Sequence, residues 1–132
     1  MPGSAVSSPR DRRPVFLDLS RIALPVGALA SIAHRVAGVL LAIGIPIGVY
    51  ALDLSLQGPQ GFARVAAALE GPPSRAAVVV MAWALAHHLF AGVRHLLMDL
   101  DVGSRLPAAR RSAWMANAGG LAVALLAAVA TW

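Results

Sequence analysis

The chain has 132 residues, of which 58% are hydrophobic and 13% charged, with a mean hydropathy of +0.72. That balance excludes an ordinary soluble domain and indicates an integral membrane protein. The formal charge of +5 comes from cations that are all arginine and sit at the ends of apolar runs, a topology signal rather than a nucleic-acid footprint.

Met1 to Pro14 is rich in Ser, Pro and Arg and reads as a tail with little to bury. Ala28-Leu29-Ala30 offers a small-x-small pattern, but Asp18, Arg21 and Pro25 interrupt the apolar stretch a secretory signal requires, so the N-terminus reads as retained. Arg13-Pro14-Val15-Phe16-Leu17-Asp18-Leu19 alternates polar and apolar residues and reads as an extended segment across the membrane surface or against a partner subunit.

The first span is expected from about Pro25, a favourable early-helix residue, to about Leu52. Gly27, Ser31, Arg35 and Gly38 share a face, and small residues there admit another helix or a ligand. Ser31 and Arg35, four apart, present a hydroxyl and a guanidinium near one depth. Such a pair can hold a polar head group while the helix wall takes an apolar tail. The competing readings are a serine bonded to its own helix carbonyl and an arginine anchoring the helix end.

Gly58 to Pro73 reads as a loop with a short amphipathic piece, Phe62 to Leu69, lying in the interface. Ser74 is the expected N-cap of a second span that runs from about residue 75 to Asp99, with Gly103 just beyond. Ser104 to Arg111 reads as a polar, basic connection, and the third span as Ser112 to Trp132, a packing helix with Asn117 as its one strongly polar residue.

The second span carries His87-His88-Leu89-Phe90-Ala91-Gly92-Val93-Arg94-His95. The chain has no cysteine, so thiolate, disulfide and iron–sulfur chemistry are excluded and histidine is the remaining soft-metal ligand. On a helix His88 and His95 fall on one face about 10 Å apart, with the bare Gly92 between them. That gap suits a flat cofactor with its iron at one imidazole and its acidic edge near the other, which is a haem hypothesis. The rival reading of His88 is a helix–helix hydrogen bond, and of Arg94 and His95 it is snorkelling to the interface. Asp99 offers a helix-end partner for Arg94 or for a neighbouring chain. His87, about 100° round with Ala91, Arg94 and Met98, reads as a contact with a neighbouring helix or with lipid headgroups.

Arg10, Arg12, Arg13, Arg21 and Arg35 flank the start of the first span, and Arg94, Arg105, Arg110 and Arg111 the second connection, against only Arg64 and Arg75 opposite. The positive-inside rule then puts the N-terminus and the second connection in the cytoplasm.

Three stretches in register carry a resemblance: Arg13-Pro14-Val15-Phe16-Leu17-Asp18-Leu19, Ser31-Ile32-Ala33-His34-Arg35-Val36-Ala37-Gly38, and His88-x-x-x-Gly92-Val93-Arg94-His95-Leu96-x-x-Asp99. Together they resemble the cytochrome b subunit of succinate dehydrogenase, although that family often has Ser or Thr where Ala37 stands here. The resemblance implies an all-α membrane protein whose three transmembrane helices form part of a haem-binding bundle with a smaller anchor subunit. It implies the larger of two anchors in a bacterial inner membrane, holding a flavoprotein and an iron–sulfur subunit on the cytoplasmic face without itself oxidising succinate. His88 would be an axial ligand of haem b, with the second ligand from the smaller anchor. His34, Arg35 and His95 would lie near the propionates, and Ser31 and Arg35 would serve the ubiquinone site. The rivals are a fumarate reductase anchor using menaquinone and a non-redox membrane scaffold or transporter whose histidines only brace helices.

Overall fold

A computed structural model describes residues 23–132. The expected tail and the Arg13 to Leu19 segment lie outside the described residues. Four helices follow: α1 (Val26–Leu56), α2 (Pro59–Leu69), α3 (Pro72–Asp99) and α4 (Leu106–Thr131). The described residues contain no strand, and α1, α3 and α4 are each long and apolar enough to cross a bilayer. The protein is thus an all-helical, multi-pass membrane protein.

Helix α3 packs against both α1 and α4, which also touch each other, while α2 lies mainly on α1. Lipid tails give apolar side chains no reason to turn inward, so contacts between spans are made where small residues let backbones close up. The buried positions follow that rule: Ala30 and Ala37 of α1, Ala84 and Ala91 of α3, and Ala113, Ala116 and Gly120 of α4. Ala37, Leu41 and Ala84 form the α1–α3 core, capped by Leu40, Met81 and Trp83. The branched and bulky residues, Val39, Ile43, Ile47 and Tyr50 among them, stay exposed on the outer surface of α1.

Several boundaries differ from the sequence reading, each for a local reason. Ser74 is not the N-cap of the second span; Gly71 is, and Pro72 and Pro73 are the first two helical residues. Proline lacks the N–H that would be an orphan in a first turn, so the pair starts the helix rather than breaking the chain before it. The third span likewise begins at Leu106 with Pro107 inside its first turn, instead of at Ser112, so most of the expected basic connection is helical. At the end of α3 it is Asp101 that adopts the left-handed conformation (φ 58°). The N–H groups of Asp101 and Val102 return to the carbonyls of Met98 and Leu97 in a Schellman closure, with Gly103 further along the turn. The amphipathic piece is a full helix, begun by Gly58 at φ 112°, a value that suits glycine.

Candidate functional site

Three imidazoles converge where α1 faces α3. His34 stacks on His88 with ring centroids 4.1 Å apart and planes 13° from parallel, and His95 tilts against the same ring of His34 at 5.3 Å. Glycines make this possible on both helices. A Cβ on Gly38 would stand 3.1 Å from Cε1 of His88, and one on Gly92 would stand 3.5 Å from Nε2 of His34. The bare backbone at Gly92, expected as an open face, is therefore the seat of the His34 ring.

One hydrogen bond fixes the chemistry of His88. Its Nδ1 lies 3.1 Å from the backbone carbonyl of His34. A carbonyl can only accept, so Nδ1 carries the proton and the neutral ring keeps its lone pair on Nε2. A histidine held at Nδ1 by a main-chain carbonyl is oriented for metal ligation through Nε2.

His87 is turned to the opposite side. It is 1% exposed, its Nε2 lies 3.0 Å from Oδ1 of Asn117 on α4, and Trp83 covers its ring at a centroid distance of 5.4 Å. Gly120 leaves room for it, since a Cβ there would come within 2.9 Å of the His87 Cβ. Of the two sequence readings, the contact with a neighbouring helix is the observed one. The packing suggests a direct check. Gly120→Leu should strain the α3–α4 seam by about 1–3 kcal/mol, whereas Gly48→Leu, with open space around it, should cost little. Thermal unfolding in detergent compares them, and equal midpoints would mean the seam is not close-packed.

Arg94 departs from expectation. It is not an exposed side chain reaching for the interface but 9% exposed, and among the described residues its hydrogen-bond partners do not include Asp99. Its Nε donates to the Ser112 hydroxyl at 3.1 Å and an Nη to the Ala109 carbonyl at 3.3 Å. His95, also read as a possible interface residue, is half-buried beside His34.

Ser31 and Arg35 stand one turn apart on α1, Ser31 half-buried and Arg35 exposed. The structure thus gathers His34, His88 and His95 into one cluster and leaves Ser31 and Arg35 on its flank. Sequence reasoning missed the partners: Asn117 for His87, Ser112 for Arg94 and the His34 ring for His88. The lone Asn117 in an apolar span was the one available signal, since an amide in hydrocarbon needs a mate.

Residues 9–127 match the model of the succinate dehydrogenase/fumarate reductase transmembrane subunit family. The chain is 34% identical over 122 residues to the succinate dehydrogenase cytochrome b556 subunit of Coxiella burnetii, covering 92% of this chain and 98% of that one. It is 31% identical over 117 residues to the protein of the same name from Paracoccus denitrificans, covering 89% and 90% of the two chains. Because the match runs through all three spans rather than around one motif, the chain belongs to the succinate dehydrogenase/fumarate reductase transmembrane subunit family, as a cytochrome b membrane subunit.

Proposed function

We propose that this chain is the haem b-binding larger anchor of a succinate:ubiquinone oxidoreductase, and that it helps form the site where ubiquinone is reduced. The observation that carries this reading is the Nδ1 contact from His88 to the His34 carbonyl, which leaves Nε2 as a lone-pair donor on a ring stacked against His34, which His95 also contacts. Both relatives carry the name cytochrome b556, which denotes a haem protein. The donor set fits that group: an imidazole ligand on an apolar helix, with His34, His95 and Arg35 as hydrogen-bonding or cationic partners for carboxylates. His88 would supply one axial ligand and the smaller anchor subunit the other. One-electron storage is the chemistry a haem supplies in such a bundle.

The chain's own residues then have distinct tasks. The His34 carbonyl orients His88, and Gly38 and Gly92 keep the α1–α3 seam open to rings. Ser31 and Arg35 meet the quinone head group, whose oxygens gain negative charge on reduction and are stabilised by a hydroxyl and a guanidinium. Electrons would arrive from an iron–sulfur subunit, itself supplied by a flavoprotein subunit that oxidises succinate. Affinity purification through a tag on this chain, followed by a reduced-minus-oxidised spectrum, tests the reading. A low-spin b-type spectrum and co-purifying succinate oxidation are expected, and a preparation with neither would leave only a bracing role for the histidines.

The arginine distribution supports an orientation in a bacterial inner membrane with the N-terminus and the second connection in the cytoplasm and the C-terminus on the far side. A reporter active only in the cytoplasm should be silent when fused after Trp132. A strong signal there would reverse the orientation.

A further inference from the structure

The haem and quinone reading leaves Arg94 unused, yet it is the most deeply buried cation described. Its bonded partners, the Ser112 hydroxyl and the Ala109 carbonyl, carry no charge. Arginine does not deprotonate in proteins, so a full positive charge sits in a low-dielectric seam against neutral acceptors. A buried charge becomes much less costly when a counter-charge joins it.

Two cavities meet at this side chain. One, of about 490 Å³, lies where α1 and α4 begin and α3 ends, lined by Pro25, Gly27, Arg94, Leu106, Ala109 and Arg110. The other, of about 560 Å³, is a cleft between α3 and α4 with Phe90, Val93, Leu97, Met115 and Ala116 along its walls. Arg94 and Ser112 stand toward the end of that cleft where α3 closes and α4 opens. The pair comprises a cationic chamber at a helix end and an apolar trough that runs toward the middle of the spans, with Arg94 lining both.

We propose that this cleft binds one anionic phospholipid, with its phosphate between Arg94 and Arg110 and an acyl chain along the trough between α3 and α4. Basic pockets between spanning helices near the membrane surface take anionic headgroups. The amphiphilic layout selects among occupants. A free phosphate satisfies the arginines and leaves the trough empty, and an apolar partner helix fills the trough and leaves Arg94 without a counter-charge. An anionic lipid answers both halves. The inference does not depend on haem or quinone, because none of the residues assigned to either, Ser31, His34, Arg35, His88 and His95, lines the two cavities.

The test uses the chain with whatever subunits co-purify with it, extracted in mild detergent and stripped of lipid. Phosphatidylglycerol should bind about tenfold more tightly than phosphatidylcholine of the same chain length and raise the unfolding midpoint, while inorganic phosphate alone should do neither. Arg110 is exposed, so Arg110→Gln leaves the bundle intact and should lower phosphatidylglycerol affinity about fivefold, the contribution of one arginine near a membrane surface. Met115→Trp, at a position whose side chain is also exposed, should obstruct the trough and weaken long-chain lipid more than a short-chain analogue with the same headgroup. Equal binding of the two lipids, full protection by inorganic phosphate, or unchanged phosphatidylglycerol affinity in both variants would overturn the proposal.

Discussion

His88→Leu should abolish the low-spin haem b spectrum of the purified complex, while His87→Leu should keep it. The two histidines are adjacent in sequence and opposite in circumstance. His87 is spent on α4, with Asn117 on its Nε2 and Trp83 over its ring, so no approach from outside the bundle reaches it. His88 is held at Nδ1 by a main-chain carbonyl and keeps the lone pair on Nε2. Removing His87 should cost stability, about 1 kcal/mol for an inter-helix hydrogen bond in a membrane protein, because the Asn117 amide loses its mate. The expected pattern is therefore a weaker complex with an intact spectrum for His87→Leu, and a complex with lost or shifted bands for His88→Leu. His34→Ala supplies an internal control, because it removes the stacked ring but retains the backbone carbonyl that orients His88. Its bands should persist with a changed potential, because the ring removed stacks on the imidazole proposed to hold the haem. Loss of the spectrum in His87→Leu together with its survival in His88→Leu would assign the ligand to the other face of α3.

What the sequence made legible follows from which forces act locally. The three spans are apolar runs of bilayer length, and no tertiary partner is needed to see them. The face shared by His88, Gly92 and His95 is likewise a property of helical geometry alone. The boundaries were harder because a proline pair reads as a break when it opens a helix, and because polarity at the end of a span reports depth rather than conformation. The first turns of α4 carry Arg110 and Arg111 and are helical all the same. Partners were hardest. That His34 would fill the gap at Gly92 depends on how α1 lies across α3, and that Arg94 would turn inward depends on Ser112 and Ala109 arriving from α4. Nothing in the spacing within α3 specifies either neighbour. Snorkelling of Arg94 to the interface is a reading that span position alone supports, and the structure offsets part of the cost of the buried charge with two hydrogen bonds.

The quinone prediction rests on Ser31 and Arg35, which flank the imidazole cluster on α1. Arg35 is exposed, so its guanidinium remains available to a ligand that enters from the membrane or from a subunit interface. A quinone carbonyl is a weak acceptor before reduction and a strong one as negative charge develops on it. A cationic donor beside it should therefore stabilise the transition state more than the bound ground state. Arg35→Leu should lower ubiquinone-dependent turnover by about 10²-fold or more, and Ser31→Ala by about 10²-fold if its hydroxyl donates at the same moment, the range seen when one preorganised donor is removed. The loss should fall on kcat rather than on KM, because a donor that acts as charge develops on the head group leaves ground-state binding little changed. Succinate oxidation measured with an artificial acceptor that draws electrons from the soluble subunits should survive both substitutions in fully assembled complexes. That comparison separates a damaged quinone site from a damaged assembly. Arg35→Lys sharpens it, since a retained charge without the planar fork should recover part of the rate. If assembled Arg35→Leu and Ser31→Ala complexes reduce ubiquinone at the normal rate, the two residues are an interfacial anchor and a self-bonded hydroxyl, and the head group sits elsewhere.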